Sequence, residues 1–307
     1  MQSNVSVREL VNDLMLELLT KENGLDNVIT EDEITSPGLE IAGFYNYFEP
    51  ARIIMIGSKE ATYLLSLAEK AYERIEYLFR HNPPAVVFSR NVSVPDFIIE
   101  LGYKYHVAIL KSELRTTPLN SKLYSYLREK LAERITVHGV LMDINGMGTL
   151  IIGKSGIGKS ETALELLKRG HQLIADDCVE IYEKEVGVLI GNPPATIAQF
   201  LEVRGVGIVN VVEMFGAGAF RENKKIRLVI ELEQWNKDKV YDRLGLVNEK
   251  ETYFHSELPK KTIPVLPGRN TAVLVEAAAM NEKLKYLGYD GALDLTTKIG
   301  KIARGEK

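Results

Sequence analysis

Eight residues constrain this chain more than any other stretch. Gly153, Lys154, Ser155, Gly156, Ile157, Gly158, Lys159 and Ser160 fit the pattern Gly-x4-Gly-Lys-Ser. Glycines permit tight turns, so that successive amide N–H groups can point at phosphate oxygens. Lys159 has the reach for the outer phosphates, and Ser160 carries the hydroxyl that ligates magnesium. The pattern has meaning only between a strand and a helix. TLIIG precedes it and ETALELLKRG follows, so a helix beginning at Ser160 adds the positive end of its dipole to the site. A chain built round this unit binds a nucleoside triphosphate or diphosphate with magnesium. The bland alternative, a glycine-rich turn that matches by chance, leaves both flanks unexplained.

The remaining chain reads as α/β. With 307 residues, 45% of them hydrophobic and 26% charged, it is long enough for about two domains with their own cores. Over the first 130 residues, strands alternate with helices. Apolar runs at 53–57, 85–90 and 107–111 predict buried strands, and the spacing of Leu64, Leu65, Ala68, Tyr72, Ile75 and Phe79 predicts one helix over 59–79. Pro83-Pro84 stops that helix, and further helices are expected over 96–101 and 119–131. Such alternation implies a small, mostly parallel α/β domain. From Arg134 the pattern turns β-rich. Two apolar runs flank Asn145-Gly146, a strong hairpin signal, and strand pairs follow at 179–182 with 188–190 and at 226–231. A helix over 270–286 and a short amphipathic one close the chain. The expected domains are 1–131 and 132–307, the second a mixed sheet with the phosphate loop at its centre.

Charge and cysteine usage narrow the partners. A net charge of -4 argues against a nucleic-acid binder that relies on overall positive charge. The single cysteine, Cys178, excludes an intramolecular disulfide and fits a reducing cytoplasm. No apolar run approaches the ~20 residues of a membrane span. The amphipathic start, with Arg8, Glu9, Asp13 and Glu17, lacks the layout of a signal peptide.

A phosphate loop needs an acid near its metal and, for phosphoryl transfer to a hydroxyl, a proton acceptor. Asp176-Asp177, at the end of the apolar run LIADD, and Glu231 with Glu233, on LVIELE, both qualify. Two adjacent carboxylates can divide the labour, but a turn favours the same pair. Glu202 and Arg204 alternate with apolar neighbours in LEVRGVGIVNV. On one face of a strand they suit a metal ligand beside a phosphate clamp, and equally a surface ion pair on an edge strand. His138 lies in an apolar run, where a hydrogen-bonded core histidine is the default. Asn236-Lys237-Asp238-Lys239 has the wrong spacing for guanine recognition, and no dinucleotide fingerprint is present.

Taken in order, VHG at 137–139, GKSGIGKS followed by Glu161, LIADD, LEVRGVGIVNV, YDRLG at 241–245 and PVLPGRN at 264–270 resemble the bacterial HPr kinase/phosphorylase family over essentially the whole chain. LEVRG with its following glycines is more specific than the phosphate loop. The resemblance implies a bifunctional enzyme. It uses ATP, or in some members pyrophosphate, to phosphorylate a serine of the phosphocarrier HPr. It removes that phosphate by phosphorolysis with inorganic phosphate, giving pyrophosphate. It further implies control of carbon catabolite repression, a cytoplasmic homohexamer, and a catalytic domain similar to phosphoenolpyruvate carboxykinase. Carried over by residue, Asp177 is the acid/base group, Ser160 and Glu202 are Mg2+ ligands, and His138, Lys159 and Arg243 belong to the active site. Asp176, Glu161 and Arg204 support them. Residues 201–210 serve both activities, and Pro264, Val265, Leu266, Pro267, Gly268 and Arg269 mainly dephosphorylation. The N-terminal domain shows no residue that carries chemistry, so an assembly or regulatory role is expected. A P-loop small-molecule kinase and a non-catalytic nucleotide sensor are the competing readings.

Overall fold

Parallel strands covered on both faces read as unbroken apolar runs, and the N-terminal half follows that rule. In the computed structural model, which describes residues 4–242 and 247–303, the chain divides into two units, Met1–Glu133 and Arg134–Lys307. In the first, Ile34–Thr35, Ile53–Ile56, Ala85–Phe88 and Ala108–Lys111 pair in parallel, and Glu17–Leu18 closes the far edge antiparallel. Alternation sorts their side chains. Met55, Val87 and Leu110 share one cluster with Leu10 and Leu123 from the helices Val7–Leu14 and Thr116–Leu131. Ile54, Ile56, Val86, Phe88 and Ile109 face the other way, onto Ile75, Phe79 and Ile98.

The expected single helix over 59–79 is two helices, Ser58–Ser66 and Lys70–Phe79. Ala68 between them is left-handed, at φ 48°. No Gly or Pro marks the break. Its cause is tertiary: the second segment packs against Gly38–Ala42 and Asp96–Tyr105, and such packing overrides local propensity.

The second unit is organised by two long strands that change partners along their length. Arg134–Ile144 pairs with Cys178–Glu185 over its first five residues, and with Met147–Gly153 and Gln172–Ala175 over the rest. Lys224–Gln234 pairs with Val188–Asn192 at its start, then runs parallel to both Met147–Gly153 and Ser256–Val265. The result is a mixed eight-stranded sheet. Asn145 and Gly146, at φ 51° and 87°, form the two-residue hairpin turn that the sequence announces. Registers Leu232↔Gly153 and Gln234↔Val265 bring the carboxyl ends of three parallel strands together. The phosphate loop leaves from that end.

The helix after the loop is Lys159–Lys168, one residue earlier than expected. It buries Ala163, Leu166 and Leu167 in a cluster shared with Val275 and Ala279 of the helix Thr271–Tyr286. Each fully buried leucine contributes about 1.5–3 kcal/mol, so the loop is anchored through the inner face of its helix. Among the described residues, no helix is long and apolar enough to cross a membrane.

Candidate active site

The phosphate loop holds a shape that other residues resist. Gly153, Gly156 and Gly158 have φ of 148°, 80° and 104°. A Cβ on Gly153 would lie 2.4 Å from the carbonyl oxygen of Leu232 on the neighbouring strand. Backbone cannot yield there as a flexible side chain can. Gly153→Ala is therefore expected to cost about 1–3 kcal/mol through overpacking and strain and to weaken ATP binding. Urea unfolding and ATP titration of the same variant check both effects.

Lys159 is only 7% exposed. Its ammonium donates to Gly153 O at 3.0 Å, to Lys154 O at 3.4 Å and to His138 Nε2 at 3.0 Å. Burial lowers its pKa from the ordinary lysine value. An ammonium can only donate, so Nε2 of His138 accepts and the ring proton sits on Nδ1. That nitrogen faces Asp177, 3.0 Å from the backbone oxygen and 3.0 Å from Oδ1. Lysine, histidine and aspartate thus form one chain of hydrogen bonds. His138 is half exposed, at 50%, and so is not the core histidine that its apolar neighbours suggest. It occupies the point where the long strand changes partners: it pairs with Cys178, while Gly139 pairs with Ile152.

The two aspartates have opposite environments. Asp176 is 6% exposed. Its Oδ1 accepts from Ser160 Oγ at 2.9 Å and its Oδ2 from the Glu202 amide at 3.0 Å. Burial, despite those bonds, pushes its carboxyl up from the usual aspartate value. Asp177 follows with φ 64°, the left-handed region that few side chains occupy. That conformation turns its carboxylate out of the sheet, 65% exposed, beside His138. Adjacent in sequence, the pair differs because one side chain anchors the loop helix and the other faces solvent.

Glu202 lies on the short strand Phe200–Val203, which pairs antiparallel with Gly207–Asn210. Arg204 is not on the same strand face as Glu202. It falls past the strand end, in the turn, and its Nη2 reaches Ser155 Oγ at 3.3 Å. A Cβ on Gly156 would meet its guanidinium at 2.7 Å. Arg204 therefore lies directly over the loop. Ser155, Gly156, Gly158, Lys159, Ser160, Glu161, His138, Asp176, Asp177, Glu202 and Arg204 line one cavity of about 320 Å³. Two cations reach into a space walled by four acids, which is how a site holds a polyanion with a divalent metal.

A magnesium ion fits this donor set. Ser160 and Glu202 offer hard oxygens on one cavity, brought together by their shared bonds to Asp176. Among the described residues no three His, Cys, Asp or Glu side chains converge into a protein-only cage. Magnesium does not need one, since it keeps several waters and is held by one or two protein oxygens plus substrate phosphates.

Other candidates lie apart from this cavity. Glu231 is paired with Lys260 at 2.9 Å and Glu233 with Lys239 at 2.8 Å. Both line a second cavity, which also takes in Lys154, Ile157, Val265, Leu266 and Pro267. Pro264, Gly268 and Arg269 line neither, and Arg243 lies outside the described residues. The bond between Lys159 and His138 and the place of Gln234 in the wall of the second cavity had no signal in sequence. They arise from strands that meet only in space.

Comparison with known proteins follows the same division. Residues 5–127 match the family described as HPr Serine kinase N terminus, and residues 129–299 match HPr Serine kinase C-terminal domain. The chain is similar to the HPr kinase/phosphorylase of Geobacillus sp. (strain WCH70), 46% identical over 96% of this chain and 95% of that one. It is similar to that of Bacillus subtilis (strain 168) at 44% over 98% and 97%. A solved structure of the Hpr(Ser) kinase/phosphatase from Coxiella burnetii aligns over 52% of this chain and 98% of that chain, at 34% identity and TM-score 0.48.

Proposed function

Because the chain belongs to the HPr kinase/phosphorylase family, we propose that it phosphorylates a serine of HPr from ATP and reverses that step by phosphorolysis, with Asp177 moving the proton both ways. The enzyme class follows from membership, and ATP as donor follows from the kinase activity. The residue roles rest on geometry. One observation carries them: the exposed Asp177 carboxylate, held through His138, shares a cavity with the ammonium of Lys159.

In the kinase direction the serine oxygen attacks the terminal phosphorus of ATP. The bond from that phosphorus to the bridging oxygen breaks, ADP leaves, and the serine proton passes to Asp177. In the reverse direction an oxygen of inorganic phosphate attacks the phosphorus of phosphoserine. The serine oxygen then leaves with the proton from Asp177, and pyrophosphate forms. One group must serve both directions, because the forward acceptor is the reverse donor.

His138 orients Asp177 from one ring nitrogen and holds Lys159 with the other. The acceptors of Lys159 are neutral, so the approach of phosphate oxygens draws its ammonium onto the transferring group without breaking an ion pair. Arg204 covers the loop from above. Bound at Ser160 and Glu202, Mg2+ would supply charge neutralisation on the phosphate oxygens. Asp176 keeps both ligands in place.

We take the mixed sheet around the phosphate loop to be the arrangement shared with phosphoenolpyruvate carboxykinase, and the N-terminal unit to serve assembly or regulation. Self-association is supported by the closing helix Gly291–Ala303, where Leu293, Leu295, Ile299 and Ile302 are all more than half exposed; six subunits and a cytoplasmic location are what the family resemblance implies. A phosphorolysis assay tests the central reading. Purified chain, serine-phosphorylated HPr and inorganic phosphate should release pyrophosphate and dephosphorylated HPr in equal amounts. Release of inorganic phosphate alone, with no pyrophosphate, would mean simple hydrolysis and would sink it.

A further inference from the structure

The helix after the phosphate loop and the strand that ends at the two aspartates form one unit. Lys159–Lys168 runs away from the cavity for about 15 Å at the usual rise per residue. Gly170, at φ 87°, turns the chain, and Gln172–Ala175 brings it back to Asp176 and Asp177. Lys159 and Asp177 thus sit at the two open ends of a helix, turn and strand. Whatever fixes the turn fixes where they stand relative to each other.

Glu276, on the neighbouring helix Thr271–Tyr286, closes that turn. Its Oε2 accepts from Arg169 Nη1 at 3.2 Å and its Oε1 faces His171 Nε2 at 3.1 Å. A carboxylate only accepts, so Nε2 carries the ring proton. Arg169 caps the end of the helix, and His171 directly precedes the strand. One carboxylate therefore spans both arms. We propose that Glu276 is a positioning residue for phosphoryl transfer: it fixes the angle between the phosphate-loop helix and the aspartate strand, so that Asp177 meets the hydroxyl at the transferring phosphorus. The inference rests on Asp177 moving the proton, as read above.

The surroundings favour a tether over charge balance. Ala272, Val275 and Ala279 share an apolar cluster with Ala163, Leu166 and Leu167 of the loop helix, and Glu276 falls among them at helical spacing. Apolar contacts are non-directional and set no angle, whereas a bridge through two oxygens does. His171 is only 5% exposed. Without Glu276 its Nε2 proton would be buried and unpaired, so the turn would have to move to satisfy it. Arg169 has another acceptor, since Glu165 takes bonds from its Nε and Nη2 at 3.3 and 3.2 Å. At the open end of the unit, the bond from Ser160 Oγ to Asp176 joins the arms at one point. One joint fixes a distance and leaves an angle free; Glu276 supplies the second.

Steady-state kinetics of Glu276→Ala, alone and combined with Asp177→Asn, test this at a temperature where circular dichroism shows each variant folded. Alone, the substitution is expected to lower kcat about tenfold for phosphorylation of HPr and for phosphorolysis of phosphorylated HPr. That is less than the ~10²-fold cost of a group misplaced by about 1 Å, because the joint at Ser160 remains. KM for ATP should stay within about twofold, since the loop's own amides hold the phosphates. In the Asp177→Asn background the same substitution should cost less than about twofold, because the group it positions is already gone. A general weakening of the fold would cost the same factor in both backgrounds. Glu276→Gln keeps the volume and one acceptor; its expected loss is about threefold in kcat, and it carries the test if Glu276→Ala does not fold. Equal costs in the two backgrounds, unaltered kcat, or a raised KM with kcat kept overturn the proposal. Full activity of Asp177→Asn by itself overturns the reading beneath it, and shows before Glu276 is touched.

Discussion

Replacing Asp177 with Asn is expected to lower turnover in both directions by about 10²–10⁴-fold, the usual contribution of a positioned general acid–base group. The amide is nearly isosteric, so its hydrogen bond from His138 Nδ1 survives and the left-handed turn is kept. What it loses is the capacity to take a proton from serine or return one. Because Asp177 has 65% of its side chain exposed and none of the carboxylate-to-loop bonds that Asp176 makes, stability and ATP affinity should change little. The signature is a fall in kcat for phosphorylation and phosphorolysis alike, with KM for ATP near its original value. A variant that kept full activity in either direction would remove Asp177 from the chemistry. Asp176→Asn is the instructive contrast. It should disturb ATP and magnesium binding, since its oxygens hold Ser160 and the Glu202 amide.

Lys159→Ala is expected to lower kcat by about 10²–10³-fold, comparable to losing one preorganised donor at a developing charge. Here, unlike the aspartate variant, affinity falls too. ATP and pyrophosphate should both bind more weakly, because the ammonium serves the phosphates common to the two. The change also frees His138 Nε2, which accepts from Lys159 at 3.0 Å. The ring can then carry its proton on either nitrogen, and its hold on Asp177 loosens. Removing His138 from the Lys159→Ala variant should consequently cost less activity than removing it from the unsubstituted chain, as groups in one network are not additive. Kinetics of the two single variants and the pair measure that coupling. Additive losses would show that the histidine does not link the lysine to the aspartate.

Much of the site was legible because phosphate binding imposes a local pattern. Glycine spacing, an adjacent lysine and hydroxyl, and a strand before with a helix after are all written within about twenty residues. The hairpin at Asn145-Gly146 was equally readable, since both positions adopt positive φ. The break at Ala68 was not. Its residues continue a helical apolar stripe, and only the packing of Lys70–Phe79 on its neighbours divides it. Arg204 was misplaced for a related reason. Alternation with Glu202 suggested one strand face, whereas the strand ends at Val203 and the turn sends the guanidinium back over Gly156.

Residues 153–160 carry on their own the local pattern of a phosphate cradle, because backbone amides and a following helix dipole need nothing from elsewhere. The family motifs added which acids and cations to watch. What only the tertiary structure decided is how differently two neighbouring acids are held. Asp176 and Asp177 are chemically identical and adjacent, and nothing in LIADD says which is buried. The change of partners at His138–Gly139, the left-handed φ at Asp177 and the approach of Ser160 from the loop helix separate them. One becomes a buried tether and the other an exposed carboxylate. The physical reason is that burial and hydrogen-bond partners come from strands far apart in sequence, and a local pattern carries no record of who its neighbours will be.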